Sequence, residues 1–198
     1  IEALREQKLL DKTIIVFTSD HGDLCGEHGR LNKGVPYEGS ARIPFLIYCP
    51  GKIKPGTVVE EALSNIEFLP TVMSLLEVPL THKVDGRDAS ALFVGKSDVD
   101  WEDISFIRST GRAGKPGNAW ISAVTQRYKL VYSTNEEPWL LDLKDDPNEL
   151  TNVFGKAELQ KQARWMTEKL SAYGKIHNDE YVRNPRIRSW MDQVLKAD

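Results

Sequence analysis

The chain has 198 residues, with 26 Lys and Arg against 29 Asp and Glu for a net charge of −3, and 40% of it is hydrophobic. That suits one domain or two small ones with a real core, and it excludes collagen-like, coiled-coil and wholly disordered chains. The slightly acidic balance gives no general attraction to nucleic-acid backbones or acidic membranes, and no apolar run approaches the roughly 20 residues of a membrane-spanning helix. A soluble chain is expected.

The chain opens on Ile1, and its methionines are Met73, Met166 and Met191, with no charged and apolar leader before the first strand. A processed or truncated piece of a longer protein is therefore expected. Residues 1–10 mix Leu and Ala with charged residues and read as the end of a helix. The β-branched run Thr13–Thr18 follows, bounded by Ser19-Asp20-His21-Gly22, and predicts a strand buried on both faces, as in a parallel sheet. A second strand is expected over Ile43–Tyr48, closed by Pro50-Gly51. The connection 20–42 holds five glycines and no periodicity, and irregular stretches of that length are more often functional than idle.

Ile66, Leu69, Val72, Met73 and Leu76 fall on one face of a predicted helix over 66–78 that packs against the sheet. A seam is expected at Val99–Asp103. Beyond it, Ile104–Ser109, Ala119–Thr125, Tyr128–Ser133 and Trp139–Leu143 predict a small antiparallel meander. Leu159, Ala163, Met166, Leu170 and Tyr173 form a helical stripe ending at Gly174, and the last 24 residues read as a polar surface wrap. The two cysteines, Cys25 and Cys49, form no C-x-x-C pair and are expected to be free thiols. The division expected is residues 1–100, the C-terminal part of an α/β domain, and residues 101–198, a small α+β subdomain.

Chemistry concentrates at the end of the first strand. Asp20 and His21 set a carboxylate beside an imidazole, the oxygen and nitrogen donors of a divalent-ion site, although the same residues also suit a turn. Lys33 follows 13 residues after Asp20; a lysine there either neutralises charge developing on an oxyanion or is a solvated surface charge. His28, in Gly26-Glu27-His28-Gly29, either donates to a substrate oxygen or pairs with Glu27. Arg112, Lys115 and Trp120 are candidate specificity contacts or ordinary surface residues.

In register, Thr13–Gly22, Gly26-Glu27-His28-Gly29, Lys33-Gly34, Pro36-Tyr37-Glu38 and Arg42-Ile43-Pro44-Phe45 resemble the formylglycine-dependent sulfatase family. The likeness continues through Pro50–Ile53, Ile66–Thr71, Asp85-Gly86-Arg87, Arg127-Tyr128-Lys129-Leu130, Leu141–Leu143, Asp146-Pro147-Asn148-Glu149 and Asn152-Val153. The resemblance implies the end of an alkaline-phosphatase-like α/β sheet domain, then a small antiparallel sheet with a packed C-terminal helix. It implies Asp20 and His21 as metal ligands, most often for Ca²⁺ with Mg²⁺ or Mn²⁺ as alternatives. It also implies Lys33 as the sulfate contact, acting in catalysis together with His28. The partners implied are a sulfate-ester small molecule or sulfated glycan and the missing N-terminal part of the same enzyme, with no nucleic acid and no membrane span; the family suggests a periplasmic or extracellular setting.

The sequence also departs from the family. Its nucleophile is a formylglycine made within C/S-x-P-x-R, and neither cysteine nor any serine here sits in that pattern. The chain is expected to be inactive alone. Many family members carry Asn where His21 stands. His21 places the chain nearer the branch that includes phosphonate monoester and phosphodiester hydrolases, which stands as the alternative activity, alongside a non-catalytic module.

Overall fold

The computed structural model describes residues 1–109 and 119–197; Arg112 and Lys115 lie outside them. In chain order the elements are α1 (Glu2–Glu6), β1 (Ile15–Thr18), α2 (Glu38–Ala41), β2 (Phe45–Tyr48), α3 (Phe68–Leu75), α4 (Ser90–Phe93), β3 (Ser105–Arg108), β4 (Trp120–Val124), β5 (Tyr128–Ser133), β6 (Trp139–Asp142), α5 (Gln160–Ile176) and α6 (Pro185–Lys196). They divide between two compact units, one of residues 1–20 and 43–102, the other of 21–42 and 103–198. Among the described residues, no helix is long and apolar enough to cross a membrane.

In the first unit β1 pairs with β2 antiparallel, Phe17 opposite Leu46 and Ile15 opposite Tyr48. This corrects the expectation of a β1 buried on both faces in parallel pairing. Within the described residues β1 has β2 as its strand partner, and Phe17 and Thr18 are exposed. Because strand residues alternate sides, Ile15, Phe17, Leu46 and Tyr48 share one face of the pair. Phe45 lies on the other face and packs against Phe68 and Phe93, with ring centroids 6.3 and 5.6 Å away.

The 3₁₀ turn Asn65–Glu67 that leads into α3 is fixed by a capping box: the Ser64 hydroxyl accepts from Ile66 N, while Glu67 reaches back to Ser64 N at 2.6 Å. Glu67 also pairs with Arg87 at 3.1 Å, and the Arg87 guanidinium lies 3.9 Å from the Trp101 ring centre. Gly86 is required here, since a Cβ would fall 1.8 Å from the Ile66 carbonyl oxygen. The buried side of this segment is Glu67, Pro70, Thr71 and Leu75. The predicted face of Ile66, Leu69, Val72, Met73 and Leu76 is therefore not the covered one: Ile66, Leu69 and Leu76 are exposed, and Val72 and Met73 are half-buried.

The second unit holds a four-stranded antiparallel sheet, in the order β3-β4-β5-β6 among the described residues. Each strand falls within a residue or two of its predicted run. The β4–β5 turn is held by the Thr125 hydroxyl, which accepts from Tyr128 N at 2.8 Å, and by Asp103, which accepts from Gln126 N at 2.9 Å. One sheet face contributes Ile121, Ala123, Leu130, Tyr132 and Leu140 to a core completed by Ala163, Met166 and Leu170 of α5 and Ile187 and Met191 of α6. Each fully buried leucine or methionine there contributes about 1.5–3 kcal/mol of apolar transfer.

Helix α6 corrects the expectation of a polar wrap. Asn184 caps it by accepting from Arg186 N at 3.0 Å, Pro185 occupies its first turn, and Ile187 and Met191 reach the core. Helix α5 runs past Gly174 to Ile176. A Cβ on Gly174 would meet Val182 at 2.3 Å, so the glycine lets the chain pack closely there without ending the helix. Both cysteines are free, Cys25 exposed and Cys49 buried.

Candidate functional site

The second face of the small sheet carries Trp120, Ser122, Lys129, Val131, Ser133, Trp139 and Leu141, the strand positions alternate to those in the core. The segment 34–38 is tied to this face. Trp120 Nε1 donates to the Gly34 carbonyl at 2.9 Å, and Lys129 Nζ donates to the Pro36 carbonyl at 2.8 Å. Lys129 is fully buried and also meets Glu38 Oε1 at 2.6 Å and Glu149 Oε1 at 2.7 Å. The other Glu149 oxygen accepts from the Glu38 backbone N–H at 2.6 Å, at the first turn of α2.

The segment 21–33 hangs from the same anchor. Gly22 N donates to the Ser40 carbonyl at 2.9 Å, and Gly34 N to the Ser40 hydroxyl at 3.1 Å. A Cβ at Gly22 would come within 2.1 Å of the Gly39 carbonyl oxygen, so only glycine fits this approach. Leu24, buried, closes the inner turn by donating from its backbone N to the Asn32 carbonyl at 2.9 Å.

This folding brings His21 and Lys33 together: Lys33 Nζ contacts His21 Nε2. His21 Nδ1 lies 2.7 Å from the Gly22 carbonyl, which can only accept. A neutral ring that donates from Nδ1 to this carbonyl leaves Nε2 as the acceptor facing Lys33 Nζ. Among the described residues, His28 is held by its ring face. It stacks on Tyr37, centroids 3.7 Å apart and 10° between planes, and Tyr37 stacks in turn on Trp139 at 5.3 Å. Burial pushes the Tyr37 hydroxyl above its ordinary value. The backbone at His28 is left-handed, φ 53°, following Gly26 at φ 106°.

Asp20 is exposed and closes the opening stretch of the first unit; the Ser19 hydroxyl is 3.5 Å from its Oδ1. Just beyond, Asp23 Oδ1 accepts from Cys25 N at 2.8 Å and from Cys25 Sγ at 3.4 Å, which lowers the Asp23 carboxyl and raises the thiol. As candidate metal donors, Asp20 offers a carboxylate oxygen and its chain neighbour His21 an imidazole nitrogen, which suits a transition-metal ion better than calcium. They are at most part of a shell of six to eight ligands for calcium, and among the described residues no three His, Cys, Asp or Glu gather to complete one.

A small cleft of about 40 Å³ borders this segment, walled by Tyr37, Trp120 and Trp139 with Arg30 and Asn135 at its edge. Sequence reasoning singled out Trp120 as a surface contact; it is buried and holds Gly34. Lys129 and Glu149, the anchors of the segment, carried only a resemblance in the sequence. The signal that would have found Lys129 is a lysine in an otherwise apolar strand, between Tyr128 and Leu130-Val131.

A family described as N-sulphoglucosamine sulphohydrolase, C-terminal, matches residues 26–175. An arylsulfatase of Clostridium perfringens is 35% identical over 168 residues, covering 83% of this chain and 34% of that protein. A solved structure, BT4656 in complex with its substrate D-glucosamine-2-N,6-O-disulfate, superposes with a TM-score of 0.78 at 30% identity, covering 94% of this chain and 38% of that one. The phosphonate monoester hydrolase of Agrobacterium radiobacter superposes at 0.74 with 29% identity, covering 89% of this chain and 38% of its own. The chain spans about a third of the length of the curated relatives it matches.

Proposed function

The chain belongs to the sulfatase family described by its C-terminal N-sulphoglucosamine sulphohydrolase region, and from that premise we propose that it is the C-terminal part of an enzyme that hydrolyses sulfate esters, with a sulfated glycan as substrate class. Its fold is that of the alkaline-phosphatase-like sulfatases. The observation that carries the proposal is the family match over residues 26–175, the stretch that holds Lys33, whose Nζ meets His21. The glycan class is supported by the glucosamine disulfate bound to the similar solved structure.

On this reading Lys33 gives up its contact with His21 and holds the sulfate oxygens, offsetting charge that develops as the S–O bond to the leaving alcohol breaks. Asp20 and His21 would hold part of the shell of a divalent ion, most often calcium in this family, which supplies Lewis acidity toward the same oxyanion when bound. His21 keeps Nε2 available because its Nδ1 proton is occupied by the Gly22 carbonyl. His28, fixed flat against Tyr37, presents its ring edge to a substrate oxygen. The nucleophile, a formylglycine on this reading, belongs to the upstream part, so these 198 residues alone are inactive.

The test is a side-by-side assay of the full-length protein on an aryl sulfate, a 6-O-sulfated glucosamine and an aryl phosphonate monoester, with and without a chelator. Sulfate turnover that the chelator abolishes, and that Lys33→Ala lowers in kcat by about 10²–10³-fold, is the expected result. An unchanged kcat in Lys33→Ala removes that residue from the mechanism. Phosphonate turnover exceeding sulfate turnover moves the protein to the second reading, favoured by the likeness to the Agrobacterium hydrolase.

A further inference from the structure

We propose that Lys129 and Glu149 are positioning residues, which set the placement of Lys33 and His21 through the four-residue helix α2; the role of Lys33 itself rests on the function proposed above. Lys129 stands in β5 opposite Val124 and Leu141, apolar neighbours on the same sheet face. A methionine would fill that place, but it would leave the Glu38 and Glu149 carboxylates without their cation, so the cluster holds only as a unit. What a methionine lacks is a grip on segment 36–38. Lys129 takes the Pro36 carbonyl and the Glu38 carboxylate at once, while Glu149, itself buried, closes the ring on the Glu38 backbone N–H.

Helix α2 then passes the constraint on. Its Glu38 is clamped, and two residues later its Ser40 binds Gly22, the neighbour of His21, through its carbonyl, and Gly34, the neighbour of Lys33, through its hydroxyl. The Gly34 carbonyl is held independently by Trp120. Both partners of the His21–Lys33 contact are thus fixed one residue away, by bonds that converge on a single short helix anchored to the sheet. A segment of 22 residues whose own regular structure is one short helix and one 3₁₀ turn needs such an outside anchor to hold two side chains in register. Arg127-Tyr128-Lys129-Leu130 and Asp146-Pro147-Asn148-Glu149 supply it.

The experiment compares the full-length protein with Lys129→Met, Glu149→Gln, Lys33→Ala and the double variant Lys33→Ala/Lys129→Met. Amide hydrogen exchange and sulfate-ester kinetics are both read. In Lys129→Met, exchange at Gly22, Gly34 and Ser40 rises by about 10-fold or more while the amides of β4 and β5 keep their protection. The same variant loses kcat by about 10-fold or more, because a displaced lysine no longer meets the sulfate. The double variant falls to within about 2-fold of Lys33→Ala, the non-additivity expected when one residue acts through the other.

A folded Lys129→Met with unchanged exchange at those three amides overturns the proposal, as do losses that multiply in the double variant. If Lys129→Met does not fold, Glu149→Gln, which keeps the side-chain shape, decides by the same two readouts. A wild-type protein that turns over no sulfate ester refutes the proposed function, and the exchange measurement still decides whether the clamp places the segment.

Discussion

The second unit closes a core around Leu130, Leu140, Met166, Leu170 and Ile187, each with no exposure, whereas the first leaves Phe17 at 62% and Leu46 at 65% on one face of its strand pair. Helix α3 repeats the contrast. Ile66, Leu69 and Leu76 of its apolar stripe are open, while the covered side carries Glu67 and Thr71 along with Pro70 and Leu75. Both units are patterned with comparable care, since β1 and β2 are as apolar as β5. The difference is whether the surface that a pattern addresses is supplied by the same unit. For the second unit it is, by α5 and α6. For the first, on the reading proposed above, it is the upstream part of the enzyme, and contiguous exposed apolar surface is what such an arrangement leaves behind.

The largest expected effect breaks or upholds this contrast directly. In the 198-residue chain, Leu170→Ala lowers unfolding stability by about 2–5 kcal/mol, the cost of lost transfer plus a cavity. Phe17→Ala and Leu46→Ala change it by no more than about 0.5 kcal/mol, as exposed substitutions do. Urea unfolding followed by far-UV circular dichroism measures all three. The comparison sharpens when the substitutions are moved into the full-length protein. There Phe17→Ala becomes as costly as Leu170→Ala if an upstream sheet covers the face, and stays near zero if nothing does.

A middling effect belongs to a polar pair inside the closed core. The Tyr132 hydroxyl lies 2.7 Å from Thr167 Oγ1, which also donates to the Ala163 carbonyl at 2.7 Å. Burial pushes the Tyr132 hydroxyl above its ordinary value, so it is protonated at neutral pH. Tyr132→Phe therefore removes one hydrogen bond and no charge, and costs about 1 kcal/mol in the same urea series. A cost near zero would mean that Thr167 is satisfied by Ala163 alone.

What the sequence made legible follows the same division. The strands of the small sheet and the α5 stripe were visible because their period and their partners lie within one unit, so local pattern and tertiary packing agree. The face of α3 was misread because amphipathicity marks an apolar side without saying which chain covers it. Helix α6 is less legible although Asn184-Pro185 is a start signal and Ile187, Met191 and Val194 step by 4 and 3, because the charged residues between them mask that stripe. The candidate site was legible only as residue types. Lys33 and His21 are 12 positions apart on a segment without periodicity, and what joins them runs through Ser40, Glu38, Lys129 and Glu149, contacts separated by up to 111 residues in sequence. No spacing rule reaches that far.

The smallest effect compares one ion pair from each unit. In the second, Arg127 grips Asp142 with Nε 3.1 Å from Oδ1 and Nη2 2.8 Å from Oδ2, while Lys144 N and Asp145 N also donate to Oδ1. In the first, Lys52 Nζ meets Glu77 Oε1 at 2.7 Å. Both carboxyls are held below their ordinary values, Asp142 chiefly by the Arg127 hydrogen bonds and Glu77 chiefly by that of Lys52. A carboxyl lowered on folding adds stability that is complete above its unfolded value, near 4, and is lost as pH falls through the lower folded value. The pairs differ in exposure: the Asp142 side chain is 13% exposed and that of Glu77 80%. Solvent and salt screen the Glu77 pair, while the forked Arg127 geometry keeps more of its strength. Asp142→Asn therefore flattens the acid limb of a stability–pH curve measured below about pH 4, and Glu77→Gln leaves it nearly unchanged. In 1 M salt the Asp142 effect persists in part. Equal flattening by the two substitutions would mean that exposure does not separate these pairs.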